Sequence, residues 1–552
     1  MSERVTAGDV IAAFLEDAGV RAAFGVISIH NMPILDAIMR RGIIRCVPAR
    51  GEAGATNMAD AYARVSGGLG VVFTSTGTAA GNACGALVEA LTAGTPLLHI
   101  TGQIDVPFLD RERSYIHEAK DQLSMLRSVS KRAYRVWSTD TLLGTLREAV
   151  AVALTPPSGP VSIEIPIDVQ SALMELPPFD ELLPLPPAEV TLDSRSLEAL
   201  ARELRGAKRP LLWLGGGARG ASAPVRALAK LGWGVVSSVS GRGILPEDDP
   251  ASLGSYTSAP SVEALYATCD AMLIVGSRLR GNETLRWKLR LPVKLYQIDA
   301  DPSMRDRSYA VRRFVSGDAA VALTEVVELL GGDMTIDSAF RADVVGARTR
   351  ANDELRRTLG PYEELVHALG AWMPADALWV RDVTVSNSSW GNRYLPLRAP
   401  RNGVHAAGGG IGQGLPMAIG AALAGGGRKT VALAGDGGLQ LSFGEFATLV
   451  QEQADVLLIV MNDGGYGVIR NIQDERFGGR KVLVDLHTPD FQAFAASIGL
   501  PSARARDAAS FRDALTALGN RPGPALLEVD MVAIGAYASA FAGPPVREEA
   551  PA

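Results

Sequence analysis

The chain has 552 residues, which at about 150 residues per domain suggests three or four domains. Hydrophobic residues make up 47% and charged residues 21%, proportions that exclude global disorder, a collagen-like repeat and a coiled-coil rod. Fifty-four basic against sixty acidic residues leave a net charge of −6, which argues against a nucleic-acid partner. Met1 to Val10 carries no apolar stretch behind a basic end, and no run approaches the roughly 18 apolar residues of a membrane span. A cytoplasmic protein with no membrane partner is the expectation. Cys46, Cys84 and Cys269 have neither metal-site spacing nor the numbers for a disulfide framework. Aromatics are sparse at 6% while glycine reaches 59 residues, a balance that points to tight βα turns.

In chain order, Thr6 is placed to cap a helix running to about Ala18, with Asp9 as an acidic variant of the capping box. An apolar run over Ala22–Ile27 follows, then a helix near Pro33–Arg40, a strand over Ile43–Val47 and a helix over Ala53–Val65. The strand Leu69–Ser75 leads through TGTAAGN into a helix ending at Leu91, and Pro96–Thr101 reads as a strand. Short β-rich runs between helices of this length predict parallel βαβ units. Ser171–Val190 is proline-rich and reads as a seam; a polar, Arg-rich helical stretch over about Gly331–Pro361 reads as a second. Between them, RPLLWLGGGARG, DAMLIVGSRL and KLYQIDADP repeat the α/β theme. Beyond, Ala377–Val385, Thr430–Ala434 and Val456–Met461 read as strands and Phe443–Gln453 as a helix. The fold class is therefore α/β: three consecutive domains with mostly parallel central sheets, over residues 1–175, 190–335 and 360–552.

The richest segment is Gly435 to Gly467, GDGGLQLSFGEFATLVQEQADVLLIVMNDGGYG. Asp436 ends one apolar run between glycines, and Asp463 ends the next. In a right-handed βαβ unit both carboxylates leave the carboxyl ends of parallel strands, where open α/β sheets bind ligands. On neighbouring strands about 4.8 Å apart they can reach one ion. Glycines let a phosphate approach the backbone amides. Oxygen side chains, phosphate oxygens and water suit Mg2+. Two ordinary N-capping aspartates are the bland alternative. It suits a lone GDG better than GDG followed by 24 residues and then Asn-Asp-Gly.

This pattern resembles the thiamine diphosphate (ThDP) enzymes of the acetolactate synthase, benzoylformate decarboxylase and pyruvate decarboxylase family, whose signature is GDG, about two dozen residues and a paired Asn. The resemblance covers nearly the whole chain in the order pyrimidine-binding, central, diphosphate-binding. It implies ThDP as cofactor and Mg2+ held by Asp436, the side chain of Asp463 and the carbonyl of Gly465. It also places Gly435, Gly437, Gly438, Tyr466 and Gly467 at the diphosphate. One departure is that Asp463 stands where the family has the second Asn. Upstream, AAGGGIGQGLPMAIGAALA is similar to the family's other cofactor segment, which puts Gly410 and Ile411 against the bent thiamine.

ThDP acts as an electron sink once its C2 proton has left. The family promotes that loss with a carboxyl group bonded to the pyrimidine. Glu52, after the strand Ile43–Val47 and at the start of a helix ending Ala61-Tyr62-Ala63-Arg64, matches that pattern. Alone it reads as a first-turn glutamate on the helix dipole, worth about 0.3–1 kcal/mol; with the GDG segment in the same chain the functional reading prevails. The resemblance also places Thr76, Gly77 and Asn82 at the cofactor. It further implies a homodimer or homotetramer with active sites at the subunit interface.

For the substrate, His30 in GVISIHNMP falls where benzaldehyde lyase has an active-site histidine, and His117 where acetolactate synthase and benzaldehyde lyase carry Gln. Either imidazole could move a proton near neutral pH; a loop histidine bonded to backbone is the alternative for each. Gln122 is a further catalytic candidate, and Ile29, Gln103 and Ile472 are candidates for the substrate pocket. Thr74 stands where benzoylformate decarboxylase has its histidine, the paired histidines of pyruvate decarboxylase are absent, and Ile472 replaces a tryptophan of the acetolactate synthases. In the middle domain Gly215, Gly217 and Gly220 fit GxGxxG, but Ser237–Ser240 supplies no acid where a dinucleotide site needs one. FAD is therefore not expected. The first reading is an enzyme that decarboxylates a 2-oxo acid and joins the remainder to a second carbonyl compound. The alternatives are a non-oxidative decarboxylase, an acyloin lyase acting on aldehydes, and a non-catalytic paralogue or redox enzyme.

Overall fold

A computed structural model describes residues 4–332 and 334–543. Three parallel sheets lie in sequence along the chain. The first has six strands in the spatial order Arg45–Pro48, Ala22–Gly25, Gly70–Thr74, Leu97–Gln103, Pro160–Pro166 and Arg132–Arg135. The third sheet, also six-stranded, runs Gly403–His405, Leu378–Arg381, Thr430–Gly435, Val456–Asn462, Ala525–Asp530 and Ser502–Ala505. Numbered from their own first strands, both follow the order 2-1-3-4-6-5. Between them lies a five-stranded sheet ordered Gly234–Ser237, Pro210–Leu214, Ala271–Val275, Leu295–Asp299 and Arg313–Ser316. In each sheet the order reverses between the first and third strands, so a crevice opens there at the carboxyl edge.

Local chemistry explains where the elements begin. The helix Ala7–Asp17 starts at Thr6, whose hydroxyl accepts the Asp9 amide at 3.2 Å while Asp9 accepts the Thr6 amide at 3.0 Å. That reciprocal pair is the expected capping box. The strands Gly70–Thr74, Leu97–Gln103 and Pro160–Pro166 are buried throughout, as sheets covered by helices on both faces require.

Three segments differ from the sequence reading. The run Ala377–Val385 is extended only over Leu378–Arg381, and Asn387–Gly391 winds into a wide helical turn. Asp382 ends the strand because its carboxylate is drawn to the amides of Gly412 and Gly414 at 3.0 and 3.2 Å. The proline-rich seam contains a short strand, Leu173–Glu175, antiparallel to Arg4–Thr6. The second seam is a packed helix, Phe340–Leu359, with Phe340, Val344, Ala347, Ala351, Leu355 and Leu359 buried along one face. That stripe belongs to a core shared with Trp213 and Met272 of the middle sheet and Trp379 and Leu457 of the third.

The outer two units meet backbone to backbone. The helix Glu52–Ser66 crosses the helix Gly414–Ala424, and a Cβ on Gly420 would lie 2.0 Å from the carbonyl oxygen of Met58. Among the described residues no helix is long and apolar enough to cross a membrane.

Candidate active site

Asp436 and Asp463 follow neighbouring parallel strands, paired so that Gly435 lies beside Met461. The Asp463 amide donates to Asp436 Oδ1 at 3.2 Å, which ties the two turns together. Asp436 Oδ2 and Asp463 Oδ1 are both buried without a partner. Burial and the Asp463 charge push the Asp436 carboxyl up to about 7. Burial also raises Asp463, with the Arg470 guanidinium opposing. Two orphaned carboxylate oxygens side by side are of the chemistry that suits a hard cation. The Gly465 carbonyl points at the same turn, since a Cβ on Gly437 would meet it at 2.5 Å. No cluster of three or more His, Cys, Asp or Glu that could hold a metal occurs among the described residues. A cation here would therefore draw its remaining ligands from a carbonyl, a phosphate or water.

The glycine segment closes over this turn. A Cβ on Gly412 would lie 2.6 Å from the Gly438 carbonyl, and one on Gly438 would lie 3.4 Å from the Ile411 Cβ. Ile411, half-buried, thus stands over the GDG turn. Gly410 packs on the Gln413 amide. Tyr466 donates its amide to the Val484 carbonyl at 2.9 Å, fixing the approach to Gly467.

At the carboxyl edge of the first sheet, Glu52 opens its helix half-buried and accepts from Asn82 Nδ2 at 3.1 Å. No hydrogen bond joins it to the Asp436 turn among the described residues. Behind it lies a buried network. Gln122 Oε1 accepts from the Gly77 amide at 2.7 Å and the Thr76 hydroxyl at 3.0 Å, while Gln103 Oε1 accepts the same hydroxyl at 2.9 Å. Both side-chain amides donate to Glu164 Oε2, at 2.9 Å from Gln122 and 3.2 Å from Gln103. Arg135 pairs with the other oxygen of Glu164. Gln122 and Gln103 are therefore consumed in holding the Thr76–Gly77 turn. Gly77 needs its left-handed φ of 62° and its bareness, because a Cβ would lie 2.3 Å from the His117 carbonyl.

His30 and His117 meet edge to face with ring centroids 5.2 Å apart. His30 is buried, its Nδ1 has no partner, and burial and the His117 charge lower its pKa while Asp105 opposes. His117 is exposed. Ile29 beside His30 is 58% exposed. Thr74 faces inward and bonds His99 Nε2 at 2.8 Å. Ile472 is half-buried, 3.8 Å from where a Cβ on Gly543 would lie.

Several positioning side chains escaped the sequence reading. Besides Asp382, Glu89 of the first unit accepts the amides of Ala407 and Gly408 at 2.6 Å each and pairs with Arg64 at 2.8 Å. Arg64 also bonds the His405 carbonyl at 2.7 Å. Arg64 itself was visible in the Ala-Tyr-Ala-Arg motif; its partners were not. In the middle unit a 360 Å³ cavity lies at the crevice, lined by Gly215, Gly217, Arg219, Arg278, Arg280 and Asp299. Its acids include Asp299, which ends the fourth strand rather than the second, together with Glu283, Asp301 and Asp318.

Comparison with known proteins identifies the family. Residues 5–125 match the thiamine pyrophosphate enzyme N-terminal TPP binding domain, residues 197–326 the central domain and residues 384–529 the C-terminal TPP binding domain. The chain is 32% identical over 535 residues to a probable 2-ketoarginine decarboxylase of Pseudomonas aeruginosa, covering 95% of this chain and 94% of that protein. It is 28% identical over 543 residues to the acetolactate synthase isozyme 1 large subunit of Escherichia coli, covering 96% and 94%. With the chloroplastic acetolactate synthase of Arabidopsis thaliana the identity is 27% over 548 residues, covering 94% and 80%. The chain belongs to the thiamine pyrophosphate (ThDP) enzymes and is a ThDP-dependent enzyme of that family.

Proposed function

We propose that this enzyme removes CO2 from a 2-oxo acid and protonates the carbon left behind, giving an aldehyde. In this reading Asp436, Asp463 and the Gly465 carbonyl hold Mg2+, and Gly435, Gly437, Gly438 and Gly467 leave room for the diphosphate. Ile411 and Gly410 support the thiamine. Glu52 holds a proton at the pyrimidine, beside Asn82 and the Thr76–Gly77 turn. The two halves of one site come from different subunits of a homodimer or homotetramer. ThDP, when bound, supplies an electron sink for the carbon released from its carboxylate. The rest falls to side chains of this chain. His117, facing solvent, takes up a proton; His30, held neutral by burial, keeps an unpartnered Nδ1 in the same pocket. His30 relays the proton that replaces CO2, receiving it from His117 only while His30 is neutral, so that one 2-oxo acid and one proton become one aldehyde and one CO2. Gln122 and Gln103 act by holding the Thr76–Gly77 turn, and Ile29 and Ile472 border the substrate. The chemistry is redox-neutral and calls for no flavin.

The observation that carries this reading is the His30–His117 pair at 5.2 Å. A second reading, coupling of the same carbon to another carbonyl compound, is supported by the similarity to acetolactate synthases. The test is incubation with Mg2+, ThDP and a panel of 2-oxo acids and aldehydes, with CO2 and organic products followed separately. The panel includes 2-ketoarginine, the acid named for the Pseudomonas relative. Equal amounts of CO2 and aldehyde support proton delivery, and CO2 with a coupled product supports the second reading. Cleavage or coupling of acyloins and aldehydes without CO2 overturns both in favour of a lyase.

A further inference from the structure

The aspartate in the cation site has a dedicated neighbour. Arg470, on the first turns of the helix Gly467–Arg476, reaches back over the loop that carries Asp463. Its Nη1 lies 3.9 Å from Asp463 Oδ2 and donates to the Asp463 carbonyl at 3.2 Å. Its Nη2 reaches the Gly464 carbonyl at 3.4 Å and Asp485 Oδ1 at 3.1 Å. Asp485 is 72% exposed in its side chain, whereas Arg470 is 25% and Asp463 19% exposed. Water therefore screens the Asp485 charge far more than the Asp463 charge. The same loop is bridged to its neighbour by Gly465 opposite Asp485 and by the Leu486 amide on the Gly464 carbonyl at 3.1 Å.

We infer that Arg470 is a positioning residue and counter-charge. It offsets the negative charge that Asp463 brings, and its fork on two successive carbonyls fixes the turn that presents the Gly465 carbonyl. The inference rests on the cation-and-diphosphate reading of the site. A neutral amide at position 463 would need no such partner. With aspartate there and no guanidinium, the site would hold one more uncompensated negative charge just where an anionic diphosphate must settle. Arg470 suits the task because its planar fork can bond two carbonyls and face a carboxylate together.

The test is a double-mutant cycle on the full chain, stripped with a chelator and titrated with ThDP at saturating MgCl2, read by tryptophan fluorescence, with far-UV circular dichroism and melting as checks on folding. Arg470→Gln is expected to weaken ThDP binding about tenfold, and Asp463→Asn/Arg470→Gln to bind at least about fivefold better than the product of the two single effects predicts. Effects that multiply to within about twofold overturn the inference while leaving the site reading intact. If Asp436→Asn binds ThDP and Mg2+ as the unaltered protein does, the site reading itself fails. Should Arg470→Gln not fold, Asp463→Asn decides alone. A surplus guanidinium makes its ThDP affinity fall more steeply between about 50 and 500 mM NaCl than that of the unaltered protein. An unchanged slope overturns the inference.

Discussion

A Cβ on Gly467 would stand 1.8 Å from Oδ2 of Asp463, so the carboxylate keeps its place only while position 467 is bare. Gly467→Ala is therefore expected to weaken Mg2+-dependent ThDP binding by about 10–100-fold, the usual cost of disturbing a ligand's support. Titration of the stripped protein measures it, and the melting midpoint stays nearly constant. Unchanged affinity would remove Asp463 from the cation site.

Glu52 is half-buried at a helix start and its side chain accepts a hydrogen bond from Asn82. Glu52→Gln keeps the shape and removes the ionisable group. Turnover should drop by about 10²–10⁴ while ThDP affinity changes by a few-fold at most. Near-normal turnover would refute the assigned role.

The His30–His117 pair gives a pH signature. Burial and the neighbouring imidazole both lower the His30 pKa, so its neutral form persists below the ordinary value near 6.5 and is lost only at more acid pH. The acid limb of kcat/KM lies below pH 6.5 in the unaltered enzyme and moves upward in His117→Ala, which removes one of the two lowering causes. His30→Ala should cost aldehyde formation about 10²-fold or more. An acid limb indifferent to His117 would separate the two rings functionally.

What the sequence made legible was whatever neighbouring positions decide together. The Thr6–Asp9 cap, the alternation of the parallel strands and the two acids ending adjacent strands are all of this kind. The supports of the site were not legible. Asp382 meets Gly412, Glu89 meets Gly408 and Gln122 meets Gly77 only after distant segments have packed. His30 and His117 were visible singly, on separate loops, and became a pair through the fold. The strand expected over Ala377–Val385 was overextended because Asp382, drawn to the Gly412 and Gly414 amides, ends it after Arg381. The Phe340–Leu359 helix read as a seam because its polar average hid a stripe of apolar residues three and four apart.

Beneath the site, His99 is fully buried between Thr74 and Ser162, at 2.8 and 3.0 Å, and burial lowers its pKa to about 3. In the unfolded chain it titrates near 6.5. The folded protein thus declines a proton that the unfolded chain accepts. The contribution of this group to stability is whole above pH 6.5 and is lost progressively as pH falls towards 3, by a total on the order of 5 kcal/mol. In urea denaturation at pH 7 and pH 4.5, His99→Asn should lose less stability over that interval than the unaltered protein. Equal losses would show that His99 is not a source of the acid sensitivity.

The central expectation is that one coenzyme is held by Glu52 of one subunit and by Asp436 and Asp463 of another. Subunit complementation tests this most directly. Glu52→Gln and Asp436→Asn proteins, each inactive alone, are mixed in equal amounts under conditions where subunit exchange is verified by mass. Random pairing then gives each mixed dimer one intact site, and about a quarter of the unaltered activity returns. Full exchange with no recovered activity would contradict the account.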